Sequence, residues 1–332
     1  MLNFGFIGCG KISRFHADVV KTLGHNIAGV SARSGSSNID DFSEIYNIPG
    51  IYYDWEEMVK KQRPDALVVA VSWDQTEGII ENVISTGIPC LIEKPVALSS
   101  IKLQRIVDNT SRFHNGISVG YNRRFYDFIP EIQKALKEKE LASIELNFPE
   151  SVNNLIKLKS QKIADYILIY MSSHWLDLLM FLIGELNVEW MEQKISKQSG
   201  NVEAYNGILK SIRYGIPIHL QANFDTPSNT SITFNFHDSI YKMCPIEMLT
   251  VYEGMNIVGP SADSPIRKYI PRVRNTSYVD ITHKPGFLSQ MKHFIDACVK
   301  KTEQDTRGCT LSEALAVTRL CEEIESKGLR TR

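Results

Sequence analysis

The sequence has 332 residues, more than one hydrophobic core usually organises, so we expect two domains. Hydrophobic residues make up 43% and charged residues 23%, and these ordinary values exclude a disordered or fibrous chain. The formal net charge of -1 gives no electrostatic reason to expect nucleic acid or a membrane surface as a partner.

The six cysteines are scattered without a Cys-x-x-Cys pair, which indicates reduced thiols rather than disulfides or a zinc site. Met1 leads directly into a strand-like run that lacks the features of a secretory signal. The most apolar stretch, 166–183, carries two serines, a histidine and an aspartate, so a buried helix is expected there rather than a membrane span. We therefore expect a cytoplasmic protein that spans no membrane.

Short apolar runs alternate with helical segments over the first 122 residues, which is typical of βαβ units and a parallel sheet. The predicted strands are Phe4–Ile7, Ile27–Val30, Ala66–Val71, Cys90–Ile92 and Ile117–Val119. Helices are predicted between them, among them Ile12–Leu23 and Thr76–Thr86. This pattern predicts an α/β, doubly wound Rossmann domain over residues 1–122.

The pattern changes after about residue 125, where apolar and polar side chains alternate along 216–225. The same period of two recurs around Ile144 and Phe234, and it indicates a mainly antiparallel sheet with one buried face. Helices are expected near 165–183, 287–300 and 311–326. Residues 123–332 are therefore predicted to form a second domain of the α+β class.

A glycine-rich turn, Gly8-Cys9-Gly10-Lys11-Ile12-Ser13, joins the first strand to the first helix. Gly8 allows a tight turn, and Gly10 lets the backbone approach a pyrophosphate at the helix N-terminus. Ser13 stands where a third glycine is usual and is small enough for close packing. Glycines after a strand are often only a turn, but the βαβ context favours dinucleotide binding.

The end of the second strand discriminates between the two nicotinamide dinucleotides. An acidic residue there binds the ribose 2′-hydroxyl of NAD, whereas a cation accepts the 2′-phosphate of NADP. The strand ends in Ala32-Arg33-Ser34, without an acid, and both the guanidinium and the hydroxyl are phosphate donors. NADP(H) is therefore favoured over NAD(H); the alternative is that Arg33 is an ordinary exposed arginine.

Three further segments carry a recognisable pattern. Glu93-Lys94-Pro95 follows the strand ending at Ile92, GYNRRF (120–125) follows the strand ending at Val119, and SHWLDLL (173–179) lies on a later helix. Together with the glycine turn, they resemble the Gfo/Idh/MocA family of glucose-fructose oxidoreductases and inositol dehydrogenases. The likeness extends over nearly the whole chain.

This resemblance implies a Rossmann domain followed by an open-faced sheet domain, often in homodimers or homotetramers. It also implies hydride transfer between a nicotinamide and a secondary alcohol of a sugar, cyclitol or nucleotide-linked sugar. Lys94 matches the family's active-site lysine, and His174 matches its active-site histidine. The family usually has an acid four residues before that histidine, where this sequence has Tyr170.

Alcohol oxidation needs a base for the hydroxyl proton, and ketone reduction needs a proton donor. Lys94 lies just beyond the carboxyl end of a parallel strand, where ligands bind in such sheets, so a functional role is favoured over a solvated surface charge. His174 is expected to exchange or orient the substrate proton; the alternative is a buried histidine satisfied by Asp177.

Tyr170, His174 and Asp177 share one face of the predicted helix. Tyr170 weakens the expected network of lysine and carboxylate, but its hydroxyl is itself a plausible proton donor. Arg123 and Arg124 are either ligands for an anionic part of the substrate or members of surface ion pairs. Lys94, His174 and Tyr170 are thus the expected catalytic residues, and Arg123, Tyr170 and His174 are expected to bind substrate.

Strand ends and the resemblance together predict the remaining cofactor contacts, although Trp73 is also compatible with simple packing. The expected cofactor-binding residues are Gly8, Gly10, Lys11, Ile12, Ala32, Arg33, Ser34, Ser72, Trp73, Glu93, Lys94 and Asn122. No histidine has metal-ligand spacing, so no metal is expected.

The expected function is an NADP(H)-dependent dehydrogenase or ketoreductase that acts on a small sugar-like molecule. A regulatory protein that senses the dinucleotide without turnover is the alternative from another class, and the presence of Tyr170 keeps it open. A reductase of a non-sugar carbonyl differs only in the substrate pocket. The substrate and the direction of the reaction stay open at this point.

Overall fold

The computed structural model describes residues 1–301 and 307–329. The strands are β1 (Asn3–Ile7), β2 (Asn26–Ser31), β3 (Gly50–Tyr52), β4 (Ala66–Val69), β5 (Cys90–Ile92), β6 (Ile117–Val119), β7 (Leu141–Asn147), β8 (Leu186–Ile195), β9 (Val202–Ser211), β10 (Pro217–Asn223), β11 (Ser231–Phe236), β12 (Ser239–Met243), β13 (Met248–Val258) and β14 (Lys268–Tyr278). The α-helices are α1 (Lys11–Thr22), α2 (Ile39–Tyr46), α3 (Trp55–Gln62), α4 (Thr76–Ser85), α5 (Ser100–Thr110), α6 (Ile129–Glu138), α7 (Val152–Leu158), α8 (Ser173–Ile183), α9 (Phe287–His293) and α10 (Leu311–Leu329).

The described chain divides into two compact units. The first contains Met1–Phe125, Leu168–Phe181 and the described part of Asp280–Glu322. The second contains Tyr126–Ile167, Leu182–Val279 and residues 323–329. The expected division into 1–122 and 123–332 differs from this grouping, because two later segments of the chain belong to the first unit.

The first unit is built on a six-stranded parallel sheet with the order β3-β2-β1-β4-β5-β6. This is the order of a dinucleotide-binding doubly wound sheet, so the predicted Rossmann architecture is confirmed. The sequence analysis missed β3, a three-residue strand without an apolar pattern. It also placed the end of β4 two residues too late, since β4 ends at Val69.

One hydrophobic core explains why a late segment joins the first unit. Phe6 of β1 and Phe42 of α2 belong to the same cluster of buried residues as Phe287 and Met291 of α9. Apolar helix faces cover a parallel sheet on both sides, and here α9 supplies part of that cover. Sequence order alone does not reveal this, because α9 lies more than 160 residues after β6.

The second unit contains an eight-stranded sheet with the order β14-β13-β12-β11-β7-β10-β9-β8. Among its named strand pairs, β7 with β10 is parallel and the others are antiparallel. Ile144 pairs with both Ile218 and Phe234, and all three side chains are fully buried. The predicted mainly antiparallel sheet with alternating burial is therefore confirmed.

Two of the predicted helices are interrupted by π-helical turns. Leu168–Ser172 is a π-helix that precedes α8, and Phe294–Val299 is a π-helix that follows α9. A π-turn has a wider spacing than an α-turn, so α-helical periodicity cannot locate it. Within the residues that the structure describes, no helix has both the length and the apolar character needed to cross a membrane.

Candidate active site

The glycine turn has one glycine that packs against the protein and one that faces open space. Gly8 has a φ of +106°, and a Cβ there would lie 2.3 Å from the carbonyl oxygen of Ala70. A side chain at this position would therefore force β4 away. A Cβ on Gly10 would meet no atom within 4 Å, so the backbone at the start of α1 is open to a ligand.

Ser13 lies on the inner side of this turn. It is fully buried, and its hydroxyl donates to the carbonyl oxygen of Ala70 at 3.4 Å. The small side chain thus permits the close contact between helix and strand that a third glycine usually provides. Lys11 is exposed on the first turn of α1, and Ile12 packs partly against the core.

The residues predicted to select the cofactor lie in a tight turn after β2. The Ala32 N–H donates to the Tyr52 carbonyl oxygen at 3.1 Å, which ties the start of the turn to β3. Arg33 and Ser34 are exposed, and the N–H of Ser36 donates to the Arg33 carbonyl oxygen at 3.1 Å. The Arg33 guanidinium is therefore accessible at the carboxyl end of the sheet, where a 2′-phosphate would need it.

The carboxyl group of Glu93, a residue expected to contact the cofactor, pairs with another side chain of the protein. Its Oε1 lies 2.8 Å from Nε2 of His16, which is fully buried on α1. A Cβ on Gly120 would lie 3.0 Å from the Glu93 carboxyl group, so glycine leaves room for this acid. Sequence analysis did not single out His16, and the available signal was a histidine among the apolar residues of α1.

Lys94 and Tyr170, which the sequence analysis proposed for proton transfer, are in direct contact. The Lys94 Nζ donates to the backbone carbonyl oxygen of Tyr170 at 2.5 Å and lies 4.9 Å from the centre of its ring. Trp73 packs edge-on against the same ring, with the ring centres 5.7 Å apart. The three side chains therefore form one group beyond the carboxyl ends of β4 and β5, while Ser72 beside them is exposed.

Burial raises the pKa of Tyr170 above its ordinary value, and the nearby Glu93 carboxylate adds to this effect. The hydroxyl is therefore protonated at neutral pH and able to donate. Tyr170 lies within the π-helix, which sets its angular position relative to α8.

His174 is buried on the first turn of α8, with 7% of its surface exposed. Burial lowers its pKa well below 6.5, and the positive charges of Arg123, Lys94 and Lys284 lower it further. The imidazole is therefore neutral at physiological pH. Its Nδ1 is buried and has no hydrogen-bond partner among the described residues, and the ring packs edge-on against Tyr121, with the ring centres 5.7 Å apart.

Asp177 pairs with Arg124 and not with His174, although a buried His174 held by Asp177 was the alternative considered from the sequence. Its carboxylate accepts hydrogen bonds from Nε and Nη2 of Arg124, at 2.9 and 2.5 Å. The two side chains are 0% and 2% exposed, and Arg124 also donates to Glu313 at 3.1 Å. Arg124 is thus a buried structural residue rather than a surface cation.

Asn122 and Arg123 are linked to each other beside this pair. The Asn122 amide donates to the Pro285 carbonyl oxygen at 2.8 Å, and its Oδ1 accepts from Nη1 of Arg123 at 2.8 Å. The Arg123 guanidinium lies 4.5 Å above the Trp175 ring. Both polar atoms of the Asn122 side chain therefore have partners in the protein, and Asn122 holds the Arg123 guanidinium in position.

The parallel strand order, the open turn at Gly10 and the polar side chains beyond β4 and β5 define a dinucleotide-binding Rossmann protein with a candidate redox site. Residues 2–121 match a family model described as an oxidoreductase family with an NAD-binding Rossmann fold. The resemblance to the Gfo/Idh/MocA family is thereby confirmed over this segment, which is the predicted Rossmann domain.

Curated relatives align over part of the chain. A trans-1,2-dihydrobenzene-1,2-diol dehydrogenase of Xenopus laevis is 24% identical over 145 residues, covering 43% of this chain and 44% of that protein. An inositol 2-dehydrogenase of Rhizobium meliloti is 24% identical over 190 residues, covering 55% of this chain and 56% of that protein. The matches thus span about half the length of these relatives.

The whole fold has solved counterparts. The structure of an oxidoreductase from Agrobacterium radiobacter, in complex with NAD+, L-tartaric acid and magnesium, superimposes with a TM-score of 0.78 at 15% identity. The superposition covers 100% of this chain and 97% of the Agrobacterium chain. At this identity the likeness supports the two-part fold, and the residue roles must be argued from the site itself.

Proposed function

We propose that the protein is an NADP(H)-dependent oxidoreductase that interconverts a secondary alcohol and a ketone of a sugar, cyclitol or nucleotide-linked sugar. The contact of Lys94 with Tyr170, close to a neutral His174, is the observation that carries the proposal. Two of the relatives are named as dehydrogenases, one of inositol and one of a dihydrodiol, and both substrates carry secondary alcohols.

The residues around the glycine turn fit a dinucleotide. Gly10 leaves open backbone N–H groups at the start of a twelve-residue helix, and its first turn has no acidic side chain to repel a pyrophosphate. Lys11 and Ile12 begin this helix, and Ser72 and Trp73 follow the neighbouring strand. A bound nicotinamide would supply the chemistry of accepting or donating a hydride at carbon.

The protein's own groups would manage the proton. In alcohol oxidation the carbinol C–H leaves as hydride and the O–H proton must pass to a base; in ketone reduction the new alkoxide takes up a proton. Lys94 is the proposed exchanger, and the protonated Tyr170 hydroxyl is a second donor. Neutral His174 orients the reacting oxygen by a hydrogen bond, and Arg123 contacts another part of the substrate.

The preference for NADP(H) rests on Arg33 and Ser34. Their exposed side chains follow β2 in a stretch, 31–38, that contains no acidic residue to repel a 2′-phosphate. Glu93 would act indirectly, by holding the segment that carries Lys94, and Asn122 by holding Arg123.

A turnover screen tests the proposal. Purified protein is incubated with NADP+ or NADPH and a panel of polyols, sugars, sugar acids and nucleotide-linked sugars, while nicotinamide absorbance is followed. Turnover that disappears in Lys94→Ala, with cofactor affinity retained, is the expected result. Tight cofactor binding without turnover of any panel member would contradict an enzyme and favour the dinucleotide sensor.

We also propose a homodimer or homotetramer. Apolar side chains on the outer parts of β13 and β14 are exposed, among them Met255, Ile257, Tyr269 and Val273, and a contact with another copy would bury them. Light scattering of the purified protein should give a multiple of the chain mass. A monomer at micromolar concentration would contradict this.

The cytoplasm is the proposed compartment. All six cysteines are free thiols in the structure, and five of them are buried. Such thiols persist in a reducing environment. Thiol titration of protein freshly isolated from its own cells should count six, and disulfides would contradict the proposal.

A further inference from the structure

His16 is a histidine in the middle of α1 that lies outside the groups proposed to act on the substrate. It is fully buried, and its Nε2 lies 2.8 Å from Oε1 of Glu93. Because a carboxylate oxygen accepts, this hydrogen bond requires a proton on Nε2. The other ring nitrogen, Nδ1, has no hydrogen-bond partner among the described residues. The polar interaction of the imidazole in this part of the chain is therefore directed at Glu93.

The surroundings fix both members of this pair. The Phe287 ring of α9 packs on the imidazole, with the ring centres 4.6 Å apart and the planes inclined by 35°. A Cβ on Gly120 would lie 3.0 Å from the Glu93 carboxyl group, so the glycine after β6 makes room for the acid. The Glu93 N–H donates to the Val69 carbonyl oxygen at 2.8 Å, which continues the pairing of β5 with β4. The imidazole and the carboxylate are thus confined to one arrangement.

The helix α1 connects this pair to the glycine turn. It begins after Gly10, where the open backbone faces a dinucleotide pyrophosphate, and His16 follows about one and a half turns later. Ser13 is three residues before His16 and lies on the same inner face, where its hydroxyl donates to the Ala70 carbonyl oxygen. One helix therefore places both the pyrophosphate end of the site and the carboxylate of Glu93.

A dinucleotide bound at this edge of the sheet reaches Glu93 with its nicotinamide half. The ribose next to adenine lies at the end of β2, and the pyrophosphate lies at the turn after β1. In the sheet order β3-β2-β1-β4-β5-β6, the other half of the molecule extends towards β4 and β5. Glu93 and Lys94 directly follow β5. His16 occupies Oε1 of Glu93, which leaves Oε2 of this partly exposed carboxylate for a ligand.

We propose that His16 is a positioning residue for the nicotinamide half of the cofactor. It orients the Glu93 carboxylate so that Oε2 accepts from a ribose hydroxyl or from the carboxamide N–H, and it ties the segment of Lys94 to α1. This inference rests on the proposed function, because it takes the ligand to be a nicotinamide dinucleotide. It adds a role for a buried side chain that touches neither cofactor nor substrate.

Binding measurements with whole and truncated cofactors test this role without any substrate. Titration calorimetry gives the affinity for NADPH and for adenosine 2′,5′-bisphosphate, which lacks the nicotinamide half. NADH and ADP form a second pair that does not depend on the 2′-phosphate. In His16→Leu we expect the dinucleotide to bind about tenfold more weakly, because Glu93 loses a hydrogen bond that orients its charge, and the truncated ligand to bind as before. His16→Gln offers an amide N–H near the place of Nε2 and should recover most of the affinity.

Three further variants separate positioning from a general loss of structure. Val20→Ala truncates a fully buried side chain one turn later on α1, and it should leave the ratio of the two affinities unchanged. In Glu93→Ala, which lacks the carboxylate, adding His16→Leu should have no further effect on dinucleotide affinity. Gly120→Ala crowds the same carboxylate without altering α1, so it should give the same selective loss as His16→Leu.

Equal losses for the whole and the truncated ligand in His16→Leu would overturn the inference, because His16 would then only stabilise α1. Unchanged affinity for both ligands would also overturn it, as would independent, additive losses in the double variant. The proposed function fails in a different way. Dinucleotide binding that depends on His16, without hydride transfer to or from any substrate, would support the positioning role and contradict the proposed reaction.

Discussion

Replacing Asp177 by asparagine removes the charge that balances the buried Arg124 guanidinium while keeping the shape of the side chain. Breaking a buried ion pair from one side costs about 3–5 kcal/mol, because an uncompensated charge is left in the interior. Glu313 retains its contact with Arg124 at 3.1 Å, so we expect the lower end, about 3 kcal/mol. For a domain of this size the melting temperature should fall by roughly 6–12 °C.

Urea unfolding followed by circular dichroism measures this change, with Glu313→Gln as the matched control. The Glu313 side chain is 43% exposed, so its loss should cost no more than about 1 kcal/mol. Asp177→Asn should also lower turnover. The helix α8 carries both Asp177 and His174, and the ion pair of Asp177 with Arg124 connects this helix to the segment that contains Arg123. A stability loss for Asp177→Asn no larger than that of the control would refute the reasoning.

Four further outcomes test the site. Lys94→Ala should lower kcat/KM by at least about 10²-fold while NADP(H) binding stays measurable, and full activity would remove Lys94 from the mechanism. Tyr170→Phe should lower kcat more than stability; unchanged kcat would make Tyr170 structural. Arg33→Ala should reduce the ratio of NADPH to NADH affinity, and an unchanged ratio would contradict the role of Arg33. Because folding lowers the pKa of His174, the unfolded state binds more protons below pH 6.5, so stability should fall as pH drops below that value, and His174→Gln should flatten this fall.

The sequence predicted the features that depend on local patterns. Five of the six strands of the parallel sheet follow from apolar runs, and β7, β10 and β11 of the second sheet follow from alternation. The glycine turn follows from Gly8 and Gly10 at a strand end. Lys94 and Tyr170, 76 residues apart in the chain, were placed at one site by the resemblance and are in contact. Strand topology explains the place of Lys94 beyond the carboxyl end of β5, whereas the place of Tyr170 on the π-helix Leu168–Ser172 does not follow from it.

Features that depend on three-dimensional partners were not predicted. Helical spacing placed Asp177 on the same helix face as His174, but the Asp177 carboxylate binds the Arg124 guanidinium, which carries a full positive charge that a neutral imidazole lacks. His16 looked like any residue of an apolar helix face, and its pairing with Glu93 becomes visible only when α1 and β5 are adjacent. Such choices between partners depend on distances that periodicity does not encode.

Transfer of deuterium tests the central claim most directly. The protein is incubated with NADP+ and hydroxy acids or sugars deuterated at their carbinol carbons, and the nicotinamide is then analysed by mass spectrometry. We expect deuterium on the reduced nicotinamide with wild-type protein and transfer at least about 10²-fold slower with Lys94→Ala. Tight NADP+ binding without deuterium transfer from any of these compounds would contradict it.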